Sequence, residues 1–122
     1  MQVQCTEAEW KIMEVLWENS PCTMPQITKA LAPSTGWTRH TVITLLKRMA
    51  EKGSIAVDET GSVKEYTPLV SRAVLTKSQT KKLLNHVFSG RASMLVQNLV
   101  DTGEMTVKEI EDLLQMLKQK EP

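Results

Sequence analysis

A helix that stops at glycine and passes directly into two short strands can belong to very few folds, and residues 38–68 read as such a unit. Within Thr38–Gly53, TRHTVITLLKRMAEKG, the side chains of Val42, Leu45, Leu46 and Met49 recur at i, i+3, i+4 and i+7, the spacing of a core-facing stripe. His40, Ile43, Thr44 and Lys47 repeat that spacing on the other side, flanked by Arg39 and Arg48. Thr38 suits the N-cap, where a hydroxyl accepts from an unpaired backbone N–H, and Gly53 suits the left-handed residue that closes a helix. Ser54–Asp58 and Lys64–Pro68 then read as strands around Glu59-Thr60-Gly61-Ser62, a loop with a glycine where a hairpin needs one.

Two helices are expected upstream. Thr6 with Glu9 forms a capping box that opens a helix to Asn19, with Trp10, Met13 and Trp17 in one apolar row widened by Ile12, Val15 and Leu16. Thr23-Met24-Pro25-Gln26 forms a second box, with proline tolerated in the first turn. That short helix presents Ile27, Ala30 and Leu31 and is expected to end before Pro33, with Trp37 folding back as a staple on the helix after it. Three helices, the last two joined by a short Pro/Gly turn and followed by a hairpin, give the order of a winged helix.

Downstream the character changes. Ser71–Ser89 reads as a helix with Arg72, Lys77, Lys81 and Lys82 beside Leu83, Leu84, Val87 and Phe88, broken at Ser89-Gly90. Ser93–Val100 is apolar nearly all round and is expected to be buried. Thr106 with Glu109 makes a third capping box, and Val107, Ile110, Leu113, Leu114 and Leu117 stripe the helix that follows. A stripe that strong requires a partner surface, either a second subunit or the chain's own domain. The fold class expected is therefore mainly α with a small β-hairpin wing. Residues 1–70 read as a winged helix-turn-helix domain and residues 71–122 as a helical dimerisation domain.

The net charge of +1 hides a segregation. Residues 23–53 hold five bases and one acid, residues 71–91 hold five bases and no acid, and the acids gather in 1–22, 54–70 and 92–122. Two basic segments suit a polyanion. The DNA-contacting set read from this pattern is Thr38, Arg39, His40, Thr41, Ile43, Thr44, Lys47 and Arg48 on the helix, with Lys64 on the wing. Asp58, Glu59 and Glu65 beside that single lysine imply weak contact between wing and phosphate. A winged helix that binds protein in place of DNA is the competing class; it would make the outer stripe apolar. No P-loop, GxGxxG, GxSxG or HExxH occurs, so no catalytic residue, metal, cofactor or small-molecule substrate is expected. Cys5 and Cys22 read as reduced thiols, and with no signal-peptide pattern a cytoplasmic location is expected.

TEAEWKIMEVLW at Thr6–Trp17, WTRHTVITLLKRMAEKG at Trp37–Gly53, EYTPLV at Glu65–Val70 and SMLVQNLVDTGEMTVKEIEDLLQML at Ser93–Leu117 together resemble the penicillinase-repressor family of winged-helix regulators, BlaI/MecI/CopY-like. The resemblance is stronger to the β-lactam branch than to the copper branch, whose C-terminal Cys-x-Cys this chain lacks. It implies a homodimer on a palindromic double-stranded DNA operator, controlling a β-lactamase or penicillin-binding-protein type gene. It further implies release by a membrane sensor-protease that cuts in an LVLNFVE-like stretch, here LVQNLVD, at Asn98-Leu99. Arg39-His40 stands where the resistance repressors commonly carry Pro-Lys, and Ile43 replaces a polar base-contacting position, so their operator sequence does not carry over. A repressor of an unrelated regulon with another release signal stays open.

Overall fold

The computed structural model describes residues 4–121 and divides into two compact units, residues 1–79 and 80–122. The first contains α1 (Glu7–Glu18), β1 (Cys22–Thr23), α2 (Met24–Thr35), α3 (Arg39–Lys52), β2 (Ile55–Asp58), β3 (Glu65–Pro68) and the start of α4 (Arg72–Val87). The second contains the rest of α4, α5 (Ala92–Asp101) and α6 (Val107–Lys120).

The caps form where the local chemistry placed them. Thr6 Oγ1 accepts from the Glu9 N–H at 3.1 Å, and Glu9 returns the bond to the Thr6 N–H at 2.9 Å. Thr23 with Gln26 and Thr106 with Glu109 close the same reciprocal pair. Gly53 takes φ 84°, the left-handed residue that ends α3. One boundary differs from expectation: α2 runs through Pro33 to Thr35. A proline this near the C-terminus removes only a late backbone bond, and hydroxyls hold the last turn instead. Thr35 Oγ1 donates to the Leu31 carbonyl at 2.7 Å and Ser34 Oγ to the same oxygen at 3.3 Å.

The sheet is antiparallel with strand order β1-β3-β2. Tyr66 on β3 lies opposite Val57 of β2 and Cys22 of β1, so the short β1 covers one edge of the hairpin. Two residues are too few to show an alternating pattern, so β1 leaves no signal in the sequence. The core of this unit is Ile12, Met13 and Leu16 of α1, Ile27 and Leu31 of α2, the α3 stripe Val42, Leu45, Leu46 and Met49, then Ile55 and Leu75. Trp10 and Trp17, read from sequence as core, sit instead at its rim, half-buried and edge-to-face with centroids 5.2 Å apart. The Arg72 guanidinium lies 5.0 Å from the Trp17 ring and also pairs with Glu14 at 3.3 Å, which pins the start of α4 to α1.

In the second unit, α5 and α6 have no buried residue. The expected burial of Ser93–Val100 therefore fails within one chain: Met94, Val96 and Val100 are 42–46% exposed. An all-round apolar surface says that something covers it, not that the same chain does. On α6 the stripe Val107, Ile110, Leu113, Leu114 and Leu117 is likewise exposed.

Candidate nucleic-acid interface

The geometry of α3 follows from its inner stripe. With Val42, Leu45, Leu46 and Met49 at 7% exposure or less, the opposite face must point outward, and Arg39, His40, Ile43, Thr44, Lys47 and Arg48 are all exposed. Thr41, between the two stripes, is half-buried. No acid occurs in the first turn of α3. Thr38 is exposed and caps the helix, its Oγ1 3.5 Å from the Thr41 N–H. The Thr44 hydroxyl donates to the His40 carbonyl at 3.0 Å, so its proton is committed to the helix backbone.

The angle of α3 is held from below. Lys52 Nζ reaches Glu9 Oε1 at 2.8 Å and Oε2 at 3.0 Å, joining the last turn of α3 to the first turn of α1. Burial alone would raise the pKa of Glu9. The bond from Lys52, the bond from the Thr6 N–H and the Lys52 charge outweigh it and hold the carboxyl below its ordinary range. Lys52 is thereby withdrawn from any phosphate, a role that no sequence spacing could reveal.

Beside the outer face lies a cleft of about 370 Å³ between α3, the wing and the start of α2. Arg39, Ile43 and Lys47 line it from α3, Val63 and Lys64 from the wing, and Met24 from α2. Of the nine residues that line the cleft, sequence reading named Arg39, Ile43, Lys47 and Lys64; the other five, Met24, Pro25, Ser62, Val63 and Tyr66, carry no charge to signal them. Lys64 is exposed, but its Nζ lies 3.1 Å from Glu59. A phosphate has to compete with that carboxylate. Asp58 is tied up as well: bonds from the Thr60 hydroxyl and N–H lower its pKa.

The remaining predicted residues lie in the second unit. Asn98 is exposed and Leu99 half-buried near the end of α5, so the expectation of a deeply protected bond is not met. Both carbonyls are engaged. Asn98 O accepts from the Thr102 N–H at 3.1 Å and the Thr102 hydroxyl at 3.0 Å, and Leu99 O accepts from the Glu104 N–H at 2.9 Å. Among the described residues no group of three His, Cys, Asp or Glu side chains could hold a metal ion, and no helix is long and apolar enough to cross a membrane. Cys5 and Cys22 are both buried; Cys22 donates to the Asn19 carbonyl, and burial raises its pKa.

Comparison with known proteins agrees with this geometry. The chain resembles the solution structure of the DNA-binding domain of the repressor BlaI, with TM-score 0.54 and 28% identity over 61% of this chain and 90% of that one. It also resembles the Bacillus licheniformis BlaI monomeric form in complex with the blaP half-operator, with TM-score 0.53 and 28% identity over the same shares of the two chains. The penicillinase repressor of Bacillus licheniformis is 27% identical over 95% of this chain and 91% of its own length. The methicillin resistance regulatory protein MecI of Staphylococcus aureus is 26% identical over 96% and 95%. The family model described as Penicillinase repressor spans residues 5–119. With a winged helix, an exposed cationic third helix and a match over nearly its whole length, this chain belongs to the penicillinase repressor family, whose members are DNA-binding transcriptional repressors and not enzymes.

Proposed function

We propose that the chain acts as a homodimer that lays α3 of each subunit into the major groove of one half of a two-fold operator. The observation that carries this reading is the outer face of α3. Thr38, Arg39, His40, Thr44, Lys47 and Arg48 are exposed on one side of a helix whose other side is core, and the first turn has no acid to repel phosphate. A protein-binding winged helix would make most of that face apolar, whereas Ile43 is the one aliphatic residue exposed on it. Residues 1–70 read DNA in this scheme and residues 71–122 join the subunits, through the exposed stripe Val107, Ile110, Leu113, Leu114 and Leu117. Fully burying each of the large members is worth ~1.5–3 kcal/mol, more than enough for a specific dimer when several act together.

The regulated gene is of the β-lactamase or penicillin-binding-protein type, and a membrane sensor-protease relieves repression by cutting Asn98-Leu99. Support comes from the family membership and from the position of that bond. It precedes the break at Thr102-Gly103, so cleavage separates α6 from the reading unit. The departures at Arg39, His40 and Ile43 favour an operator of different sequence from those of the relatives.

Binding to DNA tests the first part. If each subunit neutralises about three to five phosphates, log K against log salt should slope at roughly −5 to −9. A slope near zero removes the DNA reading. Fragment mapping by mass spectrometry after β-lactam exposure tests the second. Induction with the chain intact rejects this switch and leaves the fold and the DNA reading standing.

A further inference from the structure

Ile43 is out of keeping with the face it occupies. Among the described residues of α1, α2 and α3 it is the one large aliphatic side chain more than a third exposed, at 37%. Its neighbours on that face are Arg39, His40, Thr44 and Lys47. It also lines the cleft that Arg39, Lys47 and Lys64 border with positive charge. The adjoining Thr44 has spent its hydroxyl proton on the His40 carbonyl. The Ile43-Thr44 step therefore presents methyl groups and one oxygen acceptor, and no hydrogen-bond donor.

The major groove sorts the possible occupants of such a step. Guanine offers only acceptors there, N7 and O6, which need a donor. Cytosine offers an amino group, and adenine an amino group beside N7. Thymine alone presents an apolar group, its 5-methyl. The surrounding cations fit the phosphates that flank any base. Resting on the reading of α3 as the DNA-contacting helix, we propose that Ile43 is a specificity-determining residue that packs on the 5-methyl of one thymine in each operator half-site. Arg39 and Lys47, four residues to either side, would then position the helix on the backbone and leave the methyl contact to discriminate the base.

Deoxyuridine removes that methyl and nothing else, and this makes the inference testable at a single atom group. The full-length protein is first used to select its preferred duplex from random-sequence DNA. Each thymine of that duplex is then replaced by deoxyuridine in turn, and Kd is measured for the natural protein and for Ile43→Ala. One thymine per half-site should weaken binding about three- to tenfold on replacement, the scale of one buried methyl group. Ile43→Ala should bind the thymine and deoxyuridine duplexes equally. Because Ile43 is exposed, that variant keeps its core, and circular dichroism checks that it folds. Specific binding with no methyl-sensitive thymine, or sensitivity that persists in Ile43→Ala, overturns the inference while leaving the DNA reading intact. Failure to select any duplex, with binding indifferent to salt, overturns both.

Discussion

Replacing Lys52 with methionine isolates the device that sets the angle of the recognition helix. Glu9 is 1% exposed and Lys52 is its ionic partner, 2.8 Å away. Removing one member of a buried pair typically costs ~3–5 kcal/mol, because the other charge is left without compensation. Two features reduce that here. The Lys52 side chain is itself 33% exposed, and Glu9 keeps its capping bond to the Thr6 N–H. We expect about 2–3 kcal/mol, a fall of roughly 10–20 °C in Tm for a unit of this size. The loss should depend on pH. The folded-state pKa of Glu9 lies below its ordinary 4.5, so its contribution is present above that value and disappears as pH falls through the folded pKa. In Lys52→Met the lowering partner is gone while the burial remains, so the carboxyl protonates at higher pH. The gap between the two proteins should be widest near neutrality and should narrow in acid. Calorimetry across that range measures it, and the double variant Glu9→Gln/Lys52→Met should recover much of the loss. A cost under about 0.5 kcal/mol, or a gap unchanged in acid, would show that the pair is solvated and does not hold α3.

Lys47→Ala and Arg48→Ala, each removing one cation from both subunits of the dimer, should lower the salt slope of DNA binding by about 2 and weaken operator and random duplexes alike; loss on the operator alone would make them base contacts. A chain ending at Gln79 should be a folded monomer in sedimentation, whereas one ending at Val70 discards Leu75, 1% exposed in the core, and should lose ~2–5 kcal/mol. A dimeric 1–79 fragment would place the interface outside the α6 stripe. Thr102→Val deletes the hydroxyl that donates to the Asn98 carbonyl, loosening the end of α5 by ~0.5–1.5 kcal/mol. Cutting at Asn98-Leu99 should then run several-fold faster, since a protease needs that turn opened, and an unchanged rate would mean that local opening does not limit cleavage.

What could be read from sequence was what is local. A capping box needs only four residues, and all three formed. The α3 stripes need a 3.6-residue period, and both faces came out as their spacing required. Contacts between distant residues left no trace. Glu9 was legible as a cap but not as the partner of Lys52, 43 residues away. In the sequence Arg72 is one basic residue among several, with nothing to reveal that it rests on Trp17. The misreading of Ser93–Val100 has another origin. Periodicity reports how much of a helix wants cover and is silent on which chain supplies it, so α5 emerged exposed where burial was expected.

The tryptophans at the rim of α1 also decide how the molecule can be watched. Trp10, Trp17 and Trp37 all lie before residue 80, and residues 80–122 contain none. Intrinsic emission is therefore blind to melting of the C-terminal helices. It should respond when α4 lifts from α1, because the Arg72 cation then leaves the face of the Trp17 indole. A transition seen in the far ultraviolet but absent from the emission spectrum belongs to the second unit alone. The chain carries its own optical label for telling loss of α5 and α6 from loss of the winged helix.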